Sequence, residues 1–150
     1  MQSEVIETRG DDGIGLRVEF TWRGDRFGHI ISWIDTEGVA RPLLESTEAL
    51  GAEAWPASPP LQSLTIHALP NGNPAALLVG MAGRSHWSAS VEGTAEHATL
   101  QFDIACRHST TSEWLGSRYR LVGDLAKRVN IAPVDGQVNY IADVATIEPT

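Results

Sequence analysis

The sequence predicts an all-β protein, an antiparallel β-sandwich or flattened β-barrel with one short helix in a crossover. Three observations carry that expectation. In Ile14-Gly15-Leu16-Arg17-Val18-Glu19-Phe20-Thr21-Trp22, large apolar residues stand at every second position, the period of a strand with one buried and one wet face. Similar segments recur as about ten or eleven short strands, with turn residues at the spacing of a sandwich or barrel. Helical periodicity is confined to one stretch between two sets of strands.

The first strand is expected near Glu4–Thr8, ahead of the turn Arg9-Gly10-Asp11-Asp12-Gly13. The second is the Ile14–Trp22 run, and Arg23-Gly24-Asp25-Arg26 turns it into a third over Phe27–Ile34. There Phe27, His29, Ile31 and Trp33 are in phase, which makes His29 a core histidine. Asp35-Thr36-Glu37-Gly38 leads to a short strand at Val39–Leu44. Its Pro42 cannot donate to a ladder, which places that strand at an edge. These four segments read as a meander joined by tight turns.

From Glu45 to Pro60 the alternation stops. Ser46 or Thr47 is a candidate cap for a helix across Glu48–Ala54, with Glu48 near its positive end. Trp55-Pro56-Ala57-Ser58-Pro59-Pro60 then ends the helix and stiffens the exit. Strands resume at Leu61–Leu69 and Ala75–Met81, around the Asn71-Gly72 turn signal. Ser85–Glu92 and Thr99–Arg107 flank a loop at 93–98, and Leu115–Val122 follows. Arg128–Ala132 and Gln137–Ile147, separated by Val134-Asp135-Gly136, complete the set.

Composition bounds what such a domain does. The 150 residues have the size of one domain, spanning residues 1–150, and that length buries a core without a disulfide or metal staple. The net charge of -8 opposes phosphate backbones and anionic lipid, so neither nucleic acid nor a membrane is expected as a partner. Cys106 is the single cysteine, in phase with Leu100, Phe102 and Ile104, and reads as a small buried hydrophobe. Met1-Gln2-Ser3-Glu4-Val5 lacks the basic start and apolar run of a signal peptide. The apolar stretch Ala75–Val79 is far too short for a bilayer. A cytoplasmic protein is the expectation.

Motifs for chemistry are sparse. Arg84-Ser85-His86-Trp87-Ser88-Ala89-Ser90-Val91-Glu92 is the densest polar cluster. Read as a strand, it turns Trp87, Ala89 and Val91 to one face and His86, Ser88, Ser90 and Glu92 to the other. A four-residue loop at 93–96 would set Glu92 opposite His97, His86 opposite Asp103 and Ser88 opposite Gln101, close enough for an Asp–His hydrogen bond. That invites a serine hydrolase using Ser88 or Ser85 with His86 and Asp103. Against it, no Gly-x-Ser-x-Gly elbow is present, and Ser88 and His86 are two residues apart on one strand. Gly80-Met81-Ala82-Gly83 matches neither a P-loop nor a dinucleotide fingerprint. No histidine spacing specifies a metal, and no motif calls for a cofactor. Trp22, Trp33 and Trp87 read as core. Trp55 and Trp114 sit beside loop residues, where they cover an end of the core or meet a partner.

The stretches Leu78–Glu92, Phe102–Arg107 and Leu115–Arg120, with Pro-Pro-Leu-Gln at Pro59–Gln62, resemble a family of short bacterial all-β proteins. The family has no known function. The resemblance implies a self-standing domain and assigns no role to any residue.

The favoured reading is a non-catalytic binding or interaction protein, its candidate site formed by Arg84, His86, Ser88, Asp103, Arg107 and Trp114. Its partner would be a protein or a small-molecule ligand. Exposed strand edges make a homodimer plausible on physical grounds. A ligand-holding barrel and the hydrolase are the alternatives.

Overall fold

The computed structural model describes residues 3–48, 53–94, 98–123 and 130–149. They form strands β1 (Ser3–Arg9), β2 (Gly15–Trp22), β3 (Phe27–Ile34), β4 (Ala40–Ser46), β5 (Ser63–Ala68), β6 (Pro74–Ala82), β7 (Ser85–Thr94), β8 (Thr99–Arg107), β9 (Ser117–Leu121), β10 (Gly136–Ile141) and β11 (Val144–Pro149). Seven make one sheet in the order β1-β2-β3-β4-β9-β11-β10, and four make a second in the order β5-β6-β7-β8. All pairings are antiparallel.

Alternation builds the core between the sheets. Ile6, Val18, Phe20, Phe27, Ile31 and Tyr119 of the large sheet form one buried cluster with Ala76, Leu78, Ala89 and Val91 of the small one. A side chain is removed from water here only when its strand phase points it at the opposite sheet. On β7 every second residue from Ser85 to Gly93 is buried and those between are not.

The sheets do not close into a barrel among the described residues. A single bridge, Phe27 to Leu61, joins them, with the Phe27 N–H donating to the Leu61 carbonyl at 2.7 Å. The flattened-barrel expectation is therefore corrected to two separate sheets. The expected helix over Glu48–Ala54 falls largely on residues 49–52, outside the described residues, and Glu48, Glu53 and Ala54 are not helical.

Three further expectations differ from the structure. The strand with Pro42 is not at an edge, because β4 lies between β3 and β9. Pro42 sits where the β3–β4 register shifts between Ile31 and Ser32, and β9 pairs only with Leu44–Ser46 beyond it. A bulge accommodates the missing donor as an edge would. Gln137–Ile147 is a hairpin, not one strand, reversing at Ala142 with φ 54°. Asn130–Ala132 is not a strand, and residues 128–129 are outside the described residues.

The burial pattern sets an expectation for stability. Leu43, fully buried in the core cluster, is expected to cost about 2–5 kcal/mol as Leu43→Ala. Leu77 points away from the core, and Leu77→Ala is expected to stay within about 0.5 kcal/mol. Urea unfolding at neutral pH measures both, and similar losses at the two positions would refute the face assignment.

Candidate functional site

The outward face of the four-stranded sheet carries the largest part of the predicted site. Residues directly opposite on neighbouring strands share a face, so the register lays this surface out in rows. One row is Ser63, Val79, Ser88 and Ala105. A second is Thr65, Leu77, Ser90 and Asp103, and a third is Met81, His86 and Arg107. Leu77, Val79 and Met81 form a stripe along β6 with 46%, 53% and 48% of their surfaces exposed. Leu77 and Val79 are flanked by the short hydroxyl side chains of Thr65, Ser90, Ser63 and Ser88, and Met81 stands opposite His86.

The end of the stripe is held by the crossover. The Met81 N–H donates to Gln62 Oε1 at 3.1 Å, and Gln62 Nε2 donates to the Met81 carbonyl at 3.3 Å. Gly80 makes this approach possible, since a Cβ there would lie 1.6 Å from the Pro60 carbonyl oxygen. A shallow depression of about 630 Å³ lies over this corner, lined by Val79, Met81, His86, Ser88 and Arg107 among others.

Of the six candidate residues, His86, Ser88, Asp103 and Arg107 share this face. Arg84 stands beside it, exposed in the two-residue β6–β7 turn. Trp114 belongs elsewhere. Its indole N–H donates to the Ala57 carbonyl at 3.1 Å, and Arg118 stacks on its ring at 5.3 Å. With Ser58, which exchanges hydrogen bonds with the Arg118 backbone, it fastens the crossover to β9.

The expected pairing of His86 with Asp103 is not adopted. His86 stands opposite Arg107, Ser88 opposite Ala105, Asp103 opposite Ser90, and Glu92 opposite Gln101. The strands continue through Gly93 and Thr94 to the Thr94–Thr99 pair, which moves the loop two residues later. Gly93 packs under β1, where a Cβ would come within 3.3–3.4 Å of Thr8 and Ile6, so it belongs to the sheet rather than to the turn. His97 is outside the described residues. The Ser85 hydroxyl is buried, donating to the Ala82 carbonyl at 2.6 Å and accepting from the Trp87 indole N–H at 3.0 Å.

Cys106 is corrected from buried to half-buried, because β8 is an edge strand whose inner face the large sheet only partly covers. Ile104, in the same phase, is 36% exposed for the same reason. Burial still pushes the Cys106 thiol up, which leaves it a poor nucleophile.

A second polar group, largely missed by sequence reasoning, lies inside the large sheet. His29 is buried as expected, with Nε2 and the Tyr119 hydroxyl sharing a hydrogen bond of 2.6 Å across β3 and β9. Its backbone N–H donates to the Ser46 hydroxyl at 2.9 Å. Arg23 lies over Gly28, where a Cβ would come within 2.4 Å of the guanidinium, and donates to the Ser46 carbonyl at 3.0 Å. Burial, with a smaller effect of Arg23, drives the His29 pKa down to about 3. Burial raises that of Tyr119, so both are neutral. Glu48 Oε2 is shut away from solvent without a hydrogen-bond partner among the described residues. Desolvation lifts the Glu48 carboxyl to about 7, against a hydrogen bond from Ser46 and the charges of Arg23 and Arg26.

Among the described residues, no group of three or more His, Cys, Asp or Glu side chains is placed to hold a metal ion. No helix among them is long and apolar enough to cross a membrane.

These shifts give stability a defined pH dependence. The unfolded chain protonates His29 near pH 6.5 and the native protein only near 3, so acidification across that window favours unfolding, by several kcal/mol in total. Glu48 acts in the opposite direction. The native carboxyl keeps its proton to about pH 7 and the unfolded one releases it near 4.5. Raising pH through that window therefore removes about 3 kcal/mol. Glu48→Gln is expected to be more stable than the parent above pH 7 by about 1–3 kcal/mol, with the gain gone below pH 4.5. His29→Gln is expected to flatten the acid limb. Urea titrations across this range decide, and an unaltered profile would mean that the replaced group is solvated.

Comparison of the chain with protein-family models, with curated proteins and with solved structures returned no match.

Proposed function

We propose that this protein is a non-catalytic interaction module, a two-sheet sandwich that docks another protein on the outward face of its four-stranded sheet. The observation that carries the reading is the stripe Leu77, Val79 and Met81, about half exposed along its whole length. Scattered apolar side chains at a surface need no explanation, but a contiguous row on one face of a sheet favours a partner surface. Arg84, His86, Arg107 and Asp103 lie beside or at the margin of the stripe, as a polar rim surrounds the apolar centre of an interface. The acidic chain with its single cysteine fits a partner in the reducing cytoplasm.

The reading is tested by placing a photo-crosslinking amino acid at Val79, with Asp11 in the exposed β1–β2 turn as control. Irradiation in the native cell is expected to give a discrete protein adduct from position 79 and none from position 11. Adding Leu77→Glu and Met81→Glu is expected to abolish the adduct while circular dichroism stays unchanged. No adduct at position 79, or a serine of the purified protein labelled by a fluorophosphonate, would overturn the reading.

A further inference from the structure

The charges on this face specify what covers it. Asp103 and Arg107 stand four residues apart on β8, both pointing outward, with Ala105 midway between them. Neither is in an ion pair among the described residues, whereas Arg9, Arg17, Arg23, Arg26, Arg41 and Arg120 each face a carboxylate within the chain. Glu92, the other outward acid of β7 and β8, is already held by Asn71 and Asn73 at 3.4 and 2.9 Å. On β8 the face therefore offers an anion and a cation that form no ion pair among the described residues, about 13 Å apart at the rise of a strand, on either side of the row Ser63, Val79, Ser88 and Ala105.

That arrangement is self-complementary. A two-fold axis laid across the strands along Ser63, Val79, Ser88 and Ala105 turns the face onto a copy of itself. The row Met81, His86 and Arg107 then falls on the row holding the partner's Leu77, the partner's Ser90 and the partner's Asp103. Arg107 meets the partner's Asp103, Met81 meets the partner's Leu77, and Val79 meets the partner's Val79. The first two contacts occur twice, and the third lies once, on the axis. An axis parallel to the strands would instead leave Arg107 and His86 facing rows without a carboxylate. The two strand sets run nearly antiparallel in the favoured arrangement, which is how twisted sheets pack face to face.

Resting on the interaction reading above, we propose that a second copy of this chain occupies the outward face of β5–β8, in a symmetric dimer with a Leu77–Val79–Met81 seam along β6 and two ion pairs of Arg107 with the partner's Asp103 along β8. Four strands by the three facing rows give about 400 Å² of sheet per copy. This lies at the low end of specific interfaces, so the dimer forms reversibly as concentration rises. The seam supplies attraction, and the charge pairs fix the direction of docking.

Charge reversal tests this without disturbing the fold, because both side chains are exposed. Native mass spectrometry and sedimentation equilibrium of the parent are expected to show a monomer–dimer equilibrium. Asp103→Arg places two cations, and Arg107→Asp two anions, where opposite charges should meet. Each variant alone is expected to self-associate at least about tenfold more weakly. Mixed in equal amounts, they are expected to form a heterodimer, and the double exchange D103R/R107D to restore the homodimer. Failure of the mixture to associate, or a parent that stays monomeric at the highest soluble concentration, overturns the dimer. The crosslinker at Val79 separates the two readings. An adduct of twice the chain mass supports the self-pairing. An adduct of another mass with a monomeric parent overturns the dimer and leaves the interaction module standing, and no adduct overturns both.

Discussion

The interior of the larger sheet is organised around one hydrogen bond, between His29 and Tyr119. An imidazole and a phenol enter an apolar core at acceptable cost only if their polar atoms meet there. The bond spans from β3 to β9 with β4 between them, so it fixes the register of three strands at once. His29 also lies against Phe20 on β2 and Phe102 on β8, with ring centroids 5.7 and 5.5 Å away. It thereby couples the two sheets. Neutrality follows from the same burial, and the Arg23 cation nearby opposes a charged imidazole further.

Ser46 extends this node toward the surface. Its hydroxyl receives the His29 backbone N–H, its carbonyl receives Arg23, and its side chain meets Glu48. Tyr119 lies across from it on β9. A carboxyl that keeps its proton to near neutrality sits at the end of a chain of neutral hydrogen bonds. The protein thus tolerates a partly desolvated acid where the chain leaves β4, and the joint contribution of His29 and Glu48 is most favourable between about pH 4.5 and 6.5, where their opposite pH dependences offset one another.

How much of this was legible in the sequence depended on whether the determinant was local. Phe27–Ile34 and Thr99–Arg107 read correctly to the residue, because their alternation and flanking turns lie within the segments themselves. His29 was recognisable as core from its phase alone, but its partner ninety residues away was not. The β7–β8 register depended on Gly93 packing against Ile6 and Thr8 of β1, a contact invisible from the turn sequence. The turn at Ala142 gave no signal because it uses neither glycine nor proline, only an alanine in the left-handed region. Pro42 marks an edge by its missing donor, whereas a bulge satisfies the same constraint within the sheet.

The apolar stripe did leave a mark in the sequence, of a kind different from the polar motifs. Most strands here alternate, as half-wet strands do. Around β6 the run Ala75-Ala76-Leu77-Leu78-Val79 does not alternate at all. Continuous apolar runs belong to strands covered on both faces. In the folded chain one face of β6 is covered by burial of Ala76 and Leu78, while on the other Ala75 is buried and Leu77, Val79 and Met81 are exposed. The sequence of β6 is written for two cores and the monomer supplies one. Selection for solubility alone would have placed Thr, Ser or Lys at Leu77, Val79 and Met81, as it did at Ser63, Thr65, Ser88 and Ser90 beside them. The mismatch between the burial for which β6 is composed and the burial it receives is the physical reason to look for the function on this face.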